Sequence, residues 1–200
     1  MEQKYKTREE WLVSSLSLIN QEVFIPAGRE LPSNIMIACS FALSGNRLGA
    51  KKITEGTCFD KSLSANKENH QIIITPLIDD PVKVLDIVVH ECLHAQVGVA
   101  CGHKGDFVTG MKDIGLTGKP TIAHANPELL VKLEGISDQL GAYPHSRLDT
   151  TGRKKQSTRM IKCQCPNPDC GMVGRFSRGA LKNGPPHCWN PEHGPMEIVS

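Results

Sequence analysis

The sequence predicts an α+β chain in two parts, a mixed domain over residues 1–146 and a small cysteine-rich module over 161–200, with a basic linker over 147–160. Three observations predict it. Short β-branched segments alternate with amphipathic or apolar helical patterns as far as residue 140. Around Arg147 the pattern gives way to RLDTTGRKKQSTR, which is polar, basic and without period. Beyond it, two seven-residue segments match each other: CPNPDCG from Cys165 and CWNPEHG from Cys188.

The first domain reads in order as follows. Residues 7–20 form an amphipathic helix that turns Trp11, Leu12, Leu16, Leu18 and Ile19 inward, with Thr7 and Glu10 spaced as a capping box. FIPAGRELP is a turn-rich connector, and residues 34–43 (NIMIACSFAL) are a strand. Residues 45–52 are a turn, 57–59 a short strand and 60–69 a polar loop. HQIIIT over 70–75 is a strand, either at a sheet edge or in its interior.

Residues 81–107, PVKVLDIVVHECLHAQVGVACGHKGDF, organise the rest. Asp80 and Pro81 are an N-cap and a first helical residue. The helix they open is apolar nearly all round, which places it centrally. It nevertheless carries His90, Glu91 and His94, an H-E-x-x-H pattern. Positions four apart share a face, so His90 and His94 can hold one metal ion, and Glu91 lies about 100° further round. Two neutral imidazoles suit Zn²⁺, and the carboxylate suits a general base. Three polar groups on such a helix are costly without partners, and a metal supplies one.

A catalytic zinc takes three protein ligands and keeps a position open. Eight residues separate His94 from His103, which sits in a turn loosened by Gly98, Gly102 and Gly105. Asp113, after eighteen intervening residues, is the other candidate, with a shorter reach than the Glu some H-E-x-x-H enzymes use. The five-residue metzincin spacing is excluded, because Val97 stands where that pattern needs glycine.

HECLHAQVGVACGHKGDF resembles the SprT-like (Spartan-type) metallopeptidases, whose pattern is H-E-x-x-H followed by G-H-x-x-x-F, here Gly102, His103 and Phe107. HQIIITPLIDDP also resembles that family's approach to its active-site helix. The likeness covers roughly residues 34–115 and extends to a C-terminal zinc-binding module. It implies a zincin-like domain with zinc on His90, His94 and His103, and Glu91 as base. A sheet edge beside such a helix would hold the substrate as an added strand.

After Phe107 the sequence reads as a short helix over 108–114, a Gly/Pro break over 115–127 and a helix over Pro127–Leu140. That last helix points Leu129, Leu130, Leu133, Ile136 and Leu140 inward. His124 in the break, and Tyr143 and His145 after the helix, are candidate transition-state donors beside a plainer reading as loop and surface residues.

In the module, both matched segments read C-x-N-P-[acid]-[C/H]-G. Two like turns, each with two soft or borderline ligands, are what a closed tetrahedral zinc site needs, so Cys165, Cys170, Cys188 and His193 are the candidates. Four residues separate the ligands of each pair where a usual ribbon knuckle has two. Cys163 and His187 lie outside the repeat. With few apolar residues, the module depends on metal for folding energy.

Eight cysteines, scattered in the first domain and crowded in the last, indicate thiols and a metal site in a reducing, cytoplasmic setting rather than a disulfide framework. No apolar run has the roughly 18 residues of a membrane span. The net charge of +2 conceals a division: from Arg147 on, nine basic residues face four acidic ones. A basic tail on an acidic domain points to DNA as a partner, although scarce aromatics argue against a base-stacking platform. The leading expectation is a zinc endopeptidase with one catalytic and one structural zinc. In it Glu91 would take a proton from a zinc-activated water, and by resemblance the substrates would be proteins on or near DNA. The alternatives are a non-catalytic zinc-containing nucleic-acid-binding protein and a zinc hydrolase acting on a non-peptide bond.

Overall fold

The structure, a computed structural model, describes residues 3–41, 54–149 and 160–199. The chain divides into two compact units, Met1–Thr151 and Gly152–Ser200. Its mixture of helix and strand is compatible with the α+β class. No helix among the described residues is long and apolar enough to cross a membrane.

Helix α1 spans Arg8–Ile19, with both arms of the Thr7–Glu10 capping box in place. Only the start of the connector expected over 24–32 is helical, through a π-helical turn over Asn20–Phe24 and a 3₁₀ turn over Ile25–Ala27, and residues 28–32 are turn and coil as expected. Val23 and Phe24 are buried, so packing holds these turns although Pro26 cannot donate to a backbone ladder. Gly28, left-handed at φ 70°, ends them.

Strands β1 (Ile35–Cys39), β2 (Gly56–Phe59) and β3 (His70–Ile74) form one sheet in the order β1-β3-β2. β1 runs parallel to β3 and β2 antiparallel to it. HQIIIT is therefore the interior strand, and among the described residues β1 and β2 are the two edges. His70, Ile72 and Ile74 of β3 are buried, while Gln71 is exposed. The expected turn over 45–52 and the end of the first strand, beyond residue 41, lie outside the described residues.

Helix α2 spans Pro81–Val97, and Asp80 Oδ1 accepts the Lys83 N–H at 2.7 Å, as the cap predicts. It packs against β2 and β3 as well as against α3 (Asp106–Asp113) and α4 (Pro127–Leu140). That position explains its nearly all-round apolar surface: Val84, Leu85, Val88, Val89, Cys92 and Leu93 are fully buried. In α4, Leu129, Leu133, Ile136 and Leu140 face the core as expected, but Leu130 is 40% exposed. A helix of this length has one inward stripe, and Leu130 falls beside it.

The break between α3 and α4 contains a two-strand hairpin, β4 (Leu116–Thr117) with β5 (His124–Ala125), and a 3₁₀ turn over Pro120–Ile122. At the end of the unit, the Trp11 indole donates to the Gly141 carbonyl at 3.1 Å. Arg8, buried without a carboxylate, donates to the carbonyls of Pro144 and Ser146 at 3.0 Å each. Arg147 and Leu148, expected in the linker, are hydrogen-bonded to Asp79 and Pro76 of the first unit. Residues 150–159, most of that linker and its basic cluster, lie outside the described residues.

The second unit is a three-stranded antiparallel sheet in the order β7-β6-β8: β6 Ile161–Gln164, β7 Val173–Phe176 and β8 Glu197–Val199.

Candidate metal centres and the adjoining cleft

One helical turn separates His90 from His94 on α2, and the glycine-rich turn after α2 brings His103 to them. The ligand atoms of the three lie within 4.8 Å of one another. His103 Nε2 is 3.4 Å from His90 Nε2 and 3.2 Å from His94 Nε2. Phe107, fully buried on α3, is the floor under all three rings. It stacks on His94 at 4.3 Å between centroids and meets His90 at 5.2 Å and His103 at 5.0 Å. The phenylalanine of the G-H-x-x-x-F pattern thus fixes imidazole orientation.

Burial holds these rings in the neutral form. The His90 imidazole is pushed down to about 4 by burial and by His103, and that of His94 to about 3 by burial and its two histidine neighbours. Burial lowers His103 as well. Three neutral rings aiming nitrogens at one point cannot all satisfy one another by hydrogen bonding, because each brings one donor and one acceptor. A shared cation satisfies all three lone pairs, so the donor set fits a metal ion and its all-imidazole chemistry suits Zn²⁺. Asp113 is not part of the cluster. Its Oδ2 accepts both Nε and Nη2 of Arg29 at 2.8 Å.

Glu91 is 7% exposed, and burial pushes its carboxyl up to about 8, against a backbone hydrogen bond from Cys58 that favours the charged form. A cation in the histidine cluster would favour the carboxylate as well. Glu91 lies against the edge strand: a Cβ built on Gly56 would stand 2.7 Å from Glu91 Oε1. Beside them opens a cleft of about 550 Å³ lined by Gly56, Ile87, His90, Glu91, Ile122 and His124, among others. The cleft lies between β2 and the β4–β5 hairpin.

The structure thus brings His90, His94 and His103 together, with Glu91 beside them, and sets His124 on the cleft wall. It does not bring Tyr143 or His145 to the cleft. Tyr143 is a core residue, edge-on to Trp11 at 4.9 Å with the Arg8 guanidinium 5.1 Å over its ring. His145 is an exposed turn residue at φ 64°. Gly56 and Asp86 escaped the sequence reading. Gly56 resembles any turn glycine, and Asp86 any polar residue of an amphipathic helix.

The second unit assembles its own cluster. Cys165, Cys170, Cys188 and His193 place their ligand atoms within 4.8 Å of one another. Cys165 Sγ is 3.3 Å from His193 Nδ1, and Cys170 Sγ is 3.6 Å from Cys188 Sγ. The sequence repeat is a structural repeat. Asn167 Oδ1 accepts the Asp169 N–H at 2.9 Å, and Asn190 Oδ1 accepts the Glu192 N–H at 3.1 Å. The Nδ2 atoms of both asparagines lie 3.2 Å from His193 Nε2. The four-residue separation is therefore a side-chain-capped turn, which presents its two ligands to one point. Cys163 is buried in β6 outside the cluster, and His187 is outside it too, bridged to Pro195. All eight cysteines are free thiols.

Comparison of the chain with family models, curated proteins and solved structures finds no match in any of the three.

Proposed function

We propose that this chain is a zinc-dependent endopeptidase of the SprT-like type, with a catalytic ion on His90, His94 and His103 and a structural ion on Cys165, Cys170, Cys188 and His193. The observation that carries the reading is a cluster of three converging imidazoles, one of which, His90, lines an open cleft together with the buried Glu91 carboxyl. Zn²⁺ on three imidazoles supplies Lewis acidity and makes water a nucleophile near neutral pH.

The chain's own residues do the rest. The side of edge strand β2 that pairs with no described strand receives a polypeptide as an added strand, which places one of its peptide groups over Glu91. Glu91 accepts the proton of the attacking water as the oxygen bonds to the peptide carbon. It returns that proton to the leaving nitrogen as the C–N bond breaks. The hydrophobic environment of α2 excludes competing water from Glu91.

The reading extends to substrates on or near DNA. Its support is the excess of basic residues from Arg147 onward, including Lys162, Arg175, Arg178 and Lys182 in the second unit. Zinc-loaded wild type should degrade an unfolded protein, and Glu91→Gln with the same zinc content should not. Equal rates would refute the assignment.

A further inference from the structure

We infer that Asp86 and His124 form a second functional pair on the cleft wall: His124 is a substrate-facing donor to the scissile carbonyl oxygen, and Asp86 is the positioning residue that holds it there. The inference deepens the peptidase reading and rests on it.

Asp86 stands on α2 one turn before His90, so it shares the face that carries the histidine cluster. It does not point into solvent as a helix-surface acid would. Its Oδ1 accepts the Ala125 N–H at 2.8 Å, which ties β5 to α2. His124 is the preceding residue of that two-residue strand. Successive residues of a strand point to opposite sides. Fixing the Ala125 backbone therefore fixes the direction of His124, which lines the cleft together with His90 and Glu91.

The ring has a second support. Gly118, at φ 88°, has no side chain, and a Cβ there would stand 3.0 Å from Cε1 of His124 and 3.2 Å from its Nδ1. The imidazole thus lies against bare backbone within its own hairpin. Burial raises the Asp86 carboxyl, and the Ala125 hydrogen bond acts against that rise.

Among the nitrogen donors of the cleft, which also carries the hydroxyls of Thr54 and Thr121, elimination singles out His124. Three cleft side chains carry N–H donors: Lys83, His90 and His124. Lys83 is engaged by Glu55 at 2.8 Å, and His90 belongs to the metal cluster. His124 remains, across the cleft from the edge strand on which the substrate would lie. As water adds to the peptide carbon, negative charge grows on the carbonyl oxygen. A pre-positioned N–H stabilises that charge more than it stabilises the ground state.

The test uses the full-length zinc-loaded protein and fluorescein-labelled casein. Four variants, His124→Ala, His124→Gln, Asp86→Ala and Asp86→Asn, are compared with Glu91→Gln. His124→Ala should lower kcat by about 10²-fold with little change in KM and unchanged zinc content, and His124→Gln, which keeps an N–H, should recover part of the loss. Asp86→Ala should lower kcat and also speed amide exchange at residues 124–125 at least tenfold in zinc-free protein. Asp86→Asn, which keeps the acceptor oxygen, should restore amide protection. Wild-type kcat in His124→Ala, with Glu91→Gln inactive, overturns the donor role and leaves the peptidase reading standing. Unchanged exchange in Asp86→Ala overturns the positioning role. A fully active Glu91→Gln overturns both readings together.

Discussion

The side chain of Glu91 occupies the space in which a Cβ on residue 56 would stand: a methyl on Gly56 would lie 2.7 Å from Oε1 and 2.8 Å from Cγ of Glu91, and 2.6 Å from Cγ2 of Ile87. The edge strand therefore approaches the helix that carries Glu91, the proposed general base, closely enough to leave no room for a Cβ. Gly56→Ala must push Glu91, Ile87 or the strand aside. Overpacking of this kind costs about 1–3 kcal/mol. Denaturant unfolding should show that loss, and peptidase activity should fall at least tenfold while zinc content stays at wild type. Unchanged activity would mean that the contact does not position Glu91.

His103 and Asp113 separate two ligand sets. His103→Ala should release the ion of the first unit to a weak chelator. Asp113→Ala should retain it and lose only the exposed pair with Arg29, worth about 0.2–1 kcal/mol. Zinc titration of both variants decides the matter. Metal loss in Asp113→Ala with retention in His103→Ala would reassign the site.

Much of this was legible in the sequence where one local signal decides the outcome. The Asp80 cap, the Thr7–Glu10 box and the H-E-x-x-H face depend on spacing within a single turn, and the structure reproduces each. The paired turns around Asn167 and Asn190 were visible as a repeat, although the side-chain caps that shape them were not. What the sequence left open depends on distant partners. HQIIIT reads equally as edge or interior strand until β1 and β2 flank it. Leu130 fits the helical period loosely and lies outside the buried stripe. Tyr143 looked like a candidate donor, but Trp11, over 130 positions earlier, claims its ring. Gly56 and Asp86 gain meaning only from what packs on them.

The acid–base behaviour of the zinc-free protein follows from the same burial. An ordinary imidazole protonates near 6.5, but His90 does so at about 4 and His94 at about 3 in the folded chain. Below 6.5 the unfolded chain binds protons that the folded chain refuses, so stability falls as pH drops from there toward 4. Glu91 acts oppositely. Its carboxyl ionises near 4.5 when unfolded and at about 8 when folded, so stability is lost as pH rises between those values. Chelator-treated protein should therefore be most stable near pH 6.5, and Glu91→Gln should flatten the alkaline side. Denaturant melts from pH 5 to 9 measure both limbs. An alkaline limb as steep in Glu91→Gln as in wild type would contradict the assigned burial.

The tail supports a separate forecast. Asn167→Ala and Asn190→Ala should each weaken metal retention in the second unit, because each removes the side-chain oxygen that caps a ligand-bearing turn. Cys165→Ser should remove that metal and unfold the unit, while the first unit keeps its own ion. Deleting residues 152–200 should weaken DNA binding and reduce its salt dependence. DNA affinity and salt slope unchanged by the deletion would remove the tail from the account.

The most direct test is Glu91→Gln. Glutamine keeps the size of the side chain and can still accept the hydrogen bond from the Cys58 backbone. It cannot take a proton from water. Full-length wild type and variant should hold equal zinc, because the ligands are His90, His94 and His103, and should unfold at similar denaturant concentrations. Cleavage of an unfolded protein should fall by about 10²–10⁴-fold, the contribution of a positioned general base. Equal cleavage by both proteins at equal zinc content would contradict the account, leaving the first histidine cluster as a structural clip.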